Sequence, residues 1–240
     1  MKKALIVQGG WDGHEPVQVA ETFRGVLVRE GFEVEISDTL DSFLDAGKLK
    51  SLHLIVPVWT MGSITREQVT PVIEAVASGV GIAGCHGGMC DSFRDSVEWQ
   101  FMTGGQWVSH PGGDGVEYTV NIKYGSSPIV EGIEDFKVKS EQYYVHVDPA
   151  NEVLATARFP VVNWYHSANG QVDVPVMWTK RWGLGRVFYS SLGHHADVIE
   201  KGPALETLRR GFLWAAEGKD IALKTGADPS RYEDKEHKMF

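Results

Sequence analysis

GIAGCHGGMCD, residues 81–91, joins an apolar segment to a glycine-rich turn, with Cys85 and His86 held between the glycines. A strand that ends here, turns sharply and opens a helix pushes its apex side chain out over the end of a sheet, the geometry of a nucleophile elbow. Small residues two positions either side of the apex let the backbone turn without a Cβ clash. Two registers satisfy this requirement. Gly84 and Gly88 flank His86, whereas Ala83 and Gly87 flank Cys85. The first makes the apex an imidazole and the second a thiol.

Upstream, short apolar runs alternate with helical patterns. ALIVQGG (4–10) reads as a buried strand of the parallel type, and residues 16–30 place Val19, Phe23, Val26 and Leu27 at helical spacing, with Pro16 in the first turn and Gly31 as cap. FEVEISD (32–38) alternates like a strand. Residues 41–52 read as a short helix or turn, and HLIVPVW (53–59) as another strand. Thr65 and Gln68 form a capping box for a helix that ends at Gly79, and the strand VGIAG (80–84) follows. This order predicts right-handed parallel crossovers and a sheet covered on both faces.

Downstream the pattern is less regular. Residues 91–104 read as a helix, GGQWVSHPGG as a loop, and VEYTVNIK (116–123) as an antiparallel strand. SPIVEGI reads as a turn with a short helical piece. Further strands are expected in SEQYYVHVDP, NEVLATARF, VPVMWTK and GRVFYSSLG, and a closing amphipathic helix over 203–218. A single domain over 1–218 and a polar tail over 219–240 result, with no internal repeat.

Composition narrows the function. A net charge of −9 argues against nucleic acid as a partner. No segment approaches the ~18 apolar residues of a membrane span. Two lysines precede an apolar run at the N-terminus, but the run meets Gly-Gly too soon for a signal peptide. Two cysteines five positions apart make no disulfide framework, so a reducing cytoplasm is the expected location. Trp11, Trp59, Trp107 and Trp182 fall in Gly-rich loops and would suit a platform for sugars or other ring-bearing ligands. Exposed aromatics in the second half raise the expectation of a homo-oligomer.

In open parallel sheets, ligands bind beyond the carboxyl ends of the strands. His14, His86, His110, His194 and His195 lie in loops that can converge there, with His146 a sixth candidate. Clustered imidazoles suit either a divalent metal such as zinc or proton transfer beside a carbonyl. Asp12, Glu15, Asp91, Glu141 and Asp197 are the accompanying carboxylates. Adjacent His194 and His195 cannot easily face one ion, so one is expected as ligand or base and the other as bystander. With Cys85 at the apex, the alternative is a hydrolase in which His195 is the base and Asp197 orients it. No GxGxxG follows the first strand, so no nucleotide cofactor is expected.

Five motifs in order, GGWDGHEP, GCHGGMCDSFR, GGQWVSHPGG, EQYYVHVDP and VPVMWTKRWGLGRVFYSSLGHH, resemble the ThuA-like (trehalose-utilisation) family over about residues 1–217. The resemblance implies an α/β, flavodoxin-like fold of the class I glutamine amidotransferase type, a mostly parallel central sheet with added antiparallel strands. It puts His86 at the apex where amidotransferases carry a cysteine, so glutaminase activity is not implied. His14, His110 and His194 match family loop histidines, and Glu141 and Tyr143 fall in the later strand motif. The implied role is carbohydrate catabolism, with isomerisation or cleavage of a keto-disaccharide or glycoside. His86 and His194 are then ligands or acid–base groups and Glu141 a base. His14, His86, His110 and His194 are the metal set, and Trp11, His14, Trp59, Trp107, His110 and Tyr143 contact the sugar. The rival reading is a non-catalytic sugar-binding or regulatory protein on the same scaffold.

Overall fold

A computed structural model describes residues 1–232. Its main sheet has nine strands: β1 (Lys2–Gly10), β2 (Phe32–Ser37), β3 (Leu54–Thr60), β4 (Gly81–Cys85), β6 (Val116–Ile122), β7 (Phe136–Ser140), β9 (Glu152–Phe159), β10 (Val172–Trp182) and β11 (Gly185–Ser190). They lie in the order β2-β1-β3-β4-β11-β10-β9-β6-β7. The first five are mutually parallel, and the other four continue the sheet antiparallel. The parallel half therefore has the flavodoxin-like order, with the fifth strand supplied from far along the chain. β5 (Gly105–Ser109) and β8 (Tyr144–Val147) form a separate antiparallel pair.

Both faces of the sheet are covered, as the alternating pattern requires. On one face, α1 (Pro16–Arg29) and α6 (Gly202–Thr225) bury Val19, Phe23, Leu208 and Phe212, with the Phe23 and Phe212 rings edge to face at 4.9 Å. On the other, α2 (Ala46–Ser51), α3 (Arg66–Ala77) and α5 (Val97–Thr103) contribute Leu49, Val69, Val72 and Trp99. The Thr65–Gln68 capping box forms at the start of α3. No helix among the described residues is long and apolar enough to cross a membrane.

Several expectations are corrected. The helix read over 91–104 is confined to α5, because Asp91 turns back to bind Arg94 and Phe93 adopts a left-handed conformation. The loop read over 105–113 begins with strand β5, whose partner β8 lies more than 30 residues downstream and so leaves no local signal. SPIVEGI forms turns and no helix. SEQYYVHVDP is not one strand: β7 ends at Ser140, and residues 141–143 link it to β8. The closing helix passes residue 218 and ends at Thr225, so the first part of the expected tail is helical. The rest of that tail forms a 3-10 turn at Pro229–Tyr232 and then lies outside the described residues.

Candidate metal centre

The turn after β4 is built as the glycine register with an imidazole apex requires. His86 has φ 47° and ψ −140° and caps α4 (Gly87–Cys90), a single helical turn. This is a conformation that L-residues avoid, and it is held from outside. The His86 amide donates to Ser190 O at 2.7 Å, and Tyr189 Oη donates to His86 O at 3.1 Å. Gly87 and Gly88 are needed for close approach. A Cβ on Gly87 would lie 2.6 Å from the His14 ring, and one on Gly88 would lie 2.9 Å from Val58 Cα.

Five separated segments meet above this turn. His14 comes from the 3-10 turn after β1, His86 from the elbow, His110 from the end of β5, Glu141 from the link between β7 and β8, and His194 from the loop after β11. Their common point is one carboxylate oxygen. Glu141 Oε2 is 3.2 Å from His86 Nε2, 3.2 Å from His110 Nδ1, 3.3 Å from His194 Nδ1 and 3.9 Å from His14 Nε2. His14, His86, Glu141 and His194 are all buried, and each has a ligand atom within 4.8 Å of the others.

Outer contacts orient two of the rings. His86 Nδ1 is 2.8 Å from Ser191 O, an acceptor only, so this nitrogen carries the proton and Nε2 presents its lone pair inward. His14 Nδ1 is bonded to Thr60 Oγ1 at 2.8 Å, which leaves Nε2 for the cluster. The Tyr143 ring stacks on His86 at 3.9 Å between centroids and closes the floor.

Electrostatics favour the ligand forms of His14, His86 and Glu141 but not of His194. Burial, then the neighbouring His86 and His194, push His14 down to about 3. Burial also lowers His86, against the pull of Glu141. Burial alone would raise Glu141, but the imidazoles of His110, His194 and His86 against it win and hold the carboxyl well below the usual range. For His194, burial acts downward and is outweighed by Glu141, so its net shift is upward.

The donor set fits a transition-metal ion. An ion with bonds of about 2.0–2.1 Å holds tetrahedral ligand atoms about 3.4 Å apart, close to three of the four separations around Glu141 Oε2, with His14 farther out at 3.9 Å. His110 Nδ1 and His194 Nδ1 are buried at their tips and form no hydrogen bond, although each lies within 3.3 Å of Oε2. Buried polar atoms left without partners call for an explanation, and a cation among the four buried groups would satisfy His194.

The other predicted residues sort by position. Trp11 is exposed and meets His14 edge-on at 4.8 Å. Trp107 lies under the Arg94 guanidinium and beside His110 and Tyr143. Trp59 packs over Gly9 and against the core, so its ring is not an open platform. Trp182 sits beside Gly185, at the end of the sheet opposite the cluster, and His146 is exposed on β8 beside Tyr144. Neither joins the site. Asp12 and Asp197 are exposed, and Asp91 is buried in its pair with Arg94. Cys85 points into the core, where burial pushes its thiol up to about 12, which removes the basis for a thiolate nucleophile served by His195. Thr60 and Ser191, which aim the two rings, were missed. Thr60 ends β3, so the rule that ligands bind at strand carboxyl ends was the available signal.

The family model for ThuA, described as trehalose utilisation, matches residues 3–215. Among solved structures, the chain is similar to a ThuA-like protein from Parabacteroides merdae ATCC 43184, with 21% identity, a TM-score of 0.68 and 91% of each chain covered. It is also similar to one from Bacteroides uniformis ATCC 8492, with 20% identity, a TM-score of 0.71, and 89% of this chain and 91% of that chain covered. A β-galactosidase from Bacillus circulans sp. alkalophilus shares the fold over 32% of its own length and 95% of this chain, at 13% identity and a TM-score of 0.56. Identities this low speak to the fold alone. No curated protein matches the chain by sequence.

Proposed function

Because the chain belongs to the ThuA family, we propose that it is a metal-assisted isomerase or lyase acting on a keto-disaccharide or glycoside. Membership of a trehalose-utilisation family supports a carbohydrate-related role. The convergence of four imidazole nitrogens on Glu141 Oε2 is the observation that carries the finer reading.

His14, His86, His194 and Glu141 would hold a divalent metal such as zinc, with His110 at the rim. Bound there, such an ion supplies Lewis-acid stabilisation of an oxyanion next to a carbonyl. Glu141 serves as an anionic ligand; a carboxylate held so low accepts a proton poorly and makes a weak general base. Trp11, exposed beside His14, and Trp107, beside His110 with Arg94 over its ring, flank the cluster and would contact a sugar. His110, half-exposed at the mouth, is placed to exchange a proton with a substrate hydroxyl. Tyr143 and the elbow keep water from the underside.

The test is turnover by the purified full chain, chelator-treated and then reloaded with Zn2+ or Mn2+. Trehalose and its 3-keto derivative are followed by NMR. Metal-dependent loss of the keto-sugar is expected. Saturable sugar binding with no turnover under any metal would overturn the enzymatic reading and leave a non-catalytic binder.

A further inference from the structure

Beside the cluster, a half-open guanidinium is held by a carboxylate that solvent barely reaches. Arg94 donates through Nε to Asp91 Oδ1 at 2.5 Å and through Nη2 to Asp91 Oδ2 at 2.9 Å. The two partners are unequal: the Asp91 side chain is 3% exposed and the Arg94 side chain 44%. Burying a carboxylate is costly, and where stability alone is at stake well-packed apolar side chains often do better than such a pair. Here the buried acid fixes the orientation of a cation whose outer end stays open.

Asp91 is itself locked. Its amide donates to Gly87 O at 3.2 Å in the elbow, and its carbonyl accepts from the Met61 amide at 2.7 Å in the loop after β3. Gln100 Nε2 donates to Arg94 O at 2.9 Å, so the backbone that carries the guanidinium is held as well. The Arg94 Cζ lies 4.5 Å from the centroid of the Trp107 ring. That ring is 5.3 Å from His110 and 6.3 Å from Tyr143 between centroids. Arg94 therefore stands one aromatic ring away from the mouth and floor of the cluster.

Pairing through Nε and Nη2 uses the side edge of the guanidinium. Its end edge, Nη1 with the second hydrogen of Nη2, meets no acceptor among the described residues. Two parallel N–H groups on such an edge match two oxygens of a carboxylate or a phosphate.

We propose that Arg94 is a specificity-determining residue that takes an oxyanion on the sugar, a carboxylate or a phosphate ester, so that acidic glycosides are preferred over their neutral counterparts. This inference rests on the carbohydrate reading of the site.

Ligands that differ only at C6 test it by isothermal titration calorimetry on the full chain: trehalose, trehalose 6-phosphate, and trehalose oxidised to a carboxylate at C6. Charge-assisted hydrogen bonds make the expected preference about 10–100-fold for at least one acidic sugar over the neutral one. The phosphate and carboxylate arms show which oxyanion fits. Arg94→Gln should bring that sugar down to the neutral level and leave the affinity for trehalose unchanged. If Gln is not tolerated beside the buried Asp91, Arg94→Lys keeps a cation there, loses the fork and should lose most of the preference. Equal affinity for all three sugars overturns the proposal and leaves the carbohydrate reading standing. So does an anion preference that the folded variant keeps in full. Binding of none of the three overturns both.

Discussion

His86 Nε2 lies 3.2 Å from Glu141 Oε2, across 55 residues of sequence and between the parallel half of the sheet and the antiparallel excursion packed over it. Around that contact burial lowers His14 and His86 and outer partners aim both rings, while the imidazoles beside it hold the Glu141 carboxyl well below the usual range. Replacing Glu141 by Gln keeps the volume and removes the charge. Zn2+ affinity should fall by more than the roughly 10–100-fold cost of losing an outer-shell partner. Competition titration with a chromophoric chelator measures it. Wild-type affinity in Glu141→Gln would remove this carboxylate from the ligand set.

Gly87 gives a sharper test of geometry. Its substitution by Ala puts a Cβ 2.6 Å from His14 Cε1 and Nδ1, so the ring must swing away from Thr60. Metal affinity should drop by about 10–100-fold, as for loss of an outer-shell partner, with unchanged far-UV circular dichroism. Gly25→Ala, whose added carbon meets only the end of Arg29 at 3.5 Å, is the control and should bind metal as wild type does.

The elbow was legible because glycines at fixed offsets from His86 have a steric meaning that needs no partner strand. His14, His86 and His194 were legible for a similar reason: each follows a strand of the parallel set, and such loops share one end of the sheet. His110 and Glu141 were not accessible that way. They are carried by β5 and the β7–β8 link, whose pairing is long-range and whose strands are short, so the loop pattern names them only among a wider set of histidines and carboxylates, and the family resemblance is what singles them out. Trp182 and His146 show the converse error. A residue beside glycine or aromatics carries no label for which end of the sheet it occupies, and these lie away from the cluster.

Strain at the apex can be isolated by comparing two variants that both lose the imidazole. At φ 47° and ψ −140°, His86→Ala keeps a Cβ in a disfavoured region, whereas His86→Gly does not. Such strain costs about 1–3 kcal/mol, and glycine gives back about 0.5–1 kcal/mol through its freer unfolded chain. The Gly variant should therefore be more stable than the Ala variant by about 1 kcal/mol in urea denaturation. If Ala is the more stable, the apex is not under strain.

Far from the site, Glu206 offers a pH-dependent test of how α6 is held. Its Oε2 accepts from Arg209 Nε, and its Oε1 from Arg209 Nη2 and Arg210 Nε. Arg209 also reaches Glu30 at the end of α1, and Arg210 reaches Glu131 O. Arg209 first, then Arg210, pull the carboxyl from 4.5 down to about 2, against a smaller upward push from burial. A carboxylate whose folded pKa is depressed stabilises the fold fully above its unfolded value, and loses that contribution as pH falls through the folded one. Stability from Glu206 is therefore complete above about pH 4.5 and fades toward pH 2. With the group partly open to solvent, screening limits it to about 1 kcal/mol. Glu206→Gln should cost that much at pH 7 in urea denaturation, and the gap from wild type should narrow steadily between pH 4.5 and pH 2. A gap that stays constant across this range would mean that packing of the side chain, and not its charge, ties α6 to its neighbours.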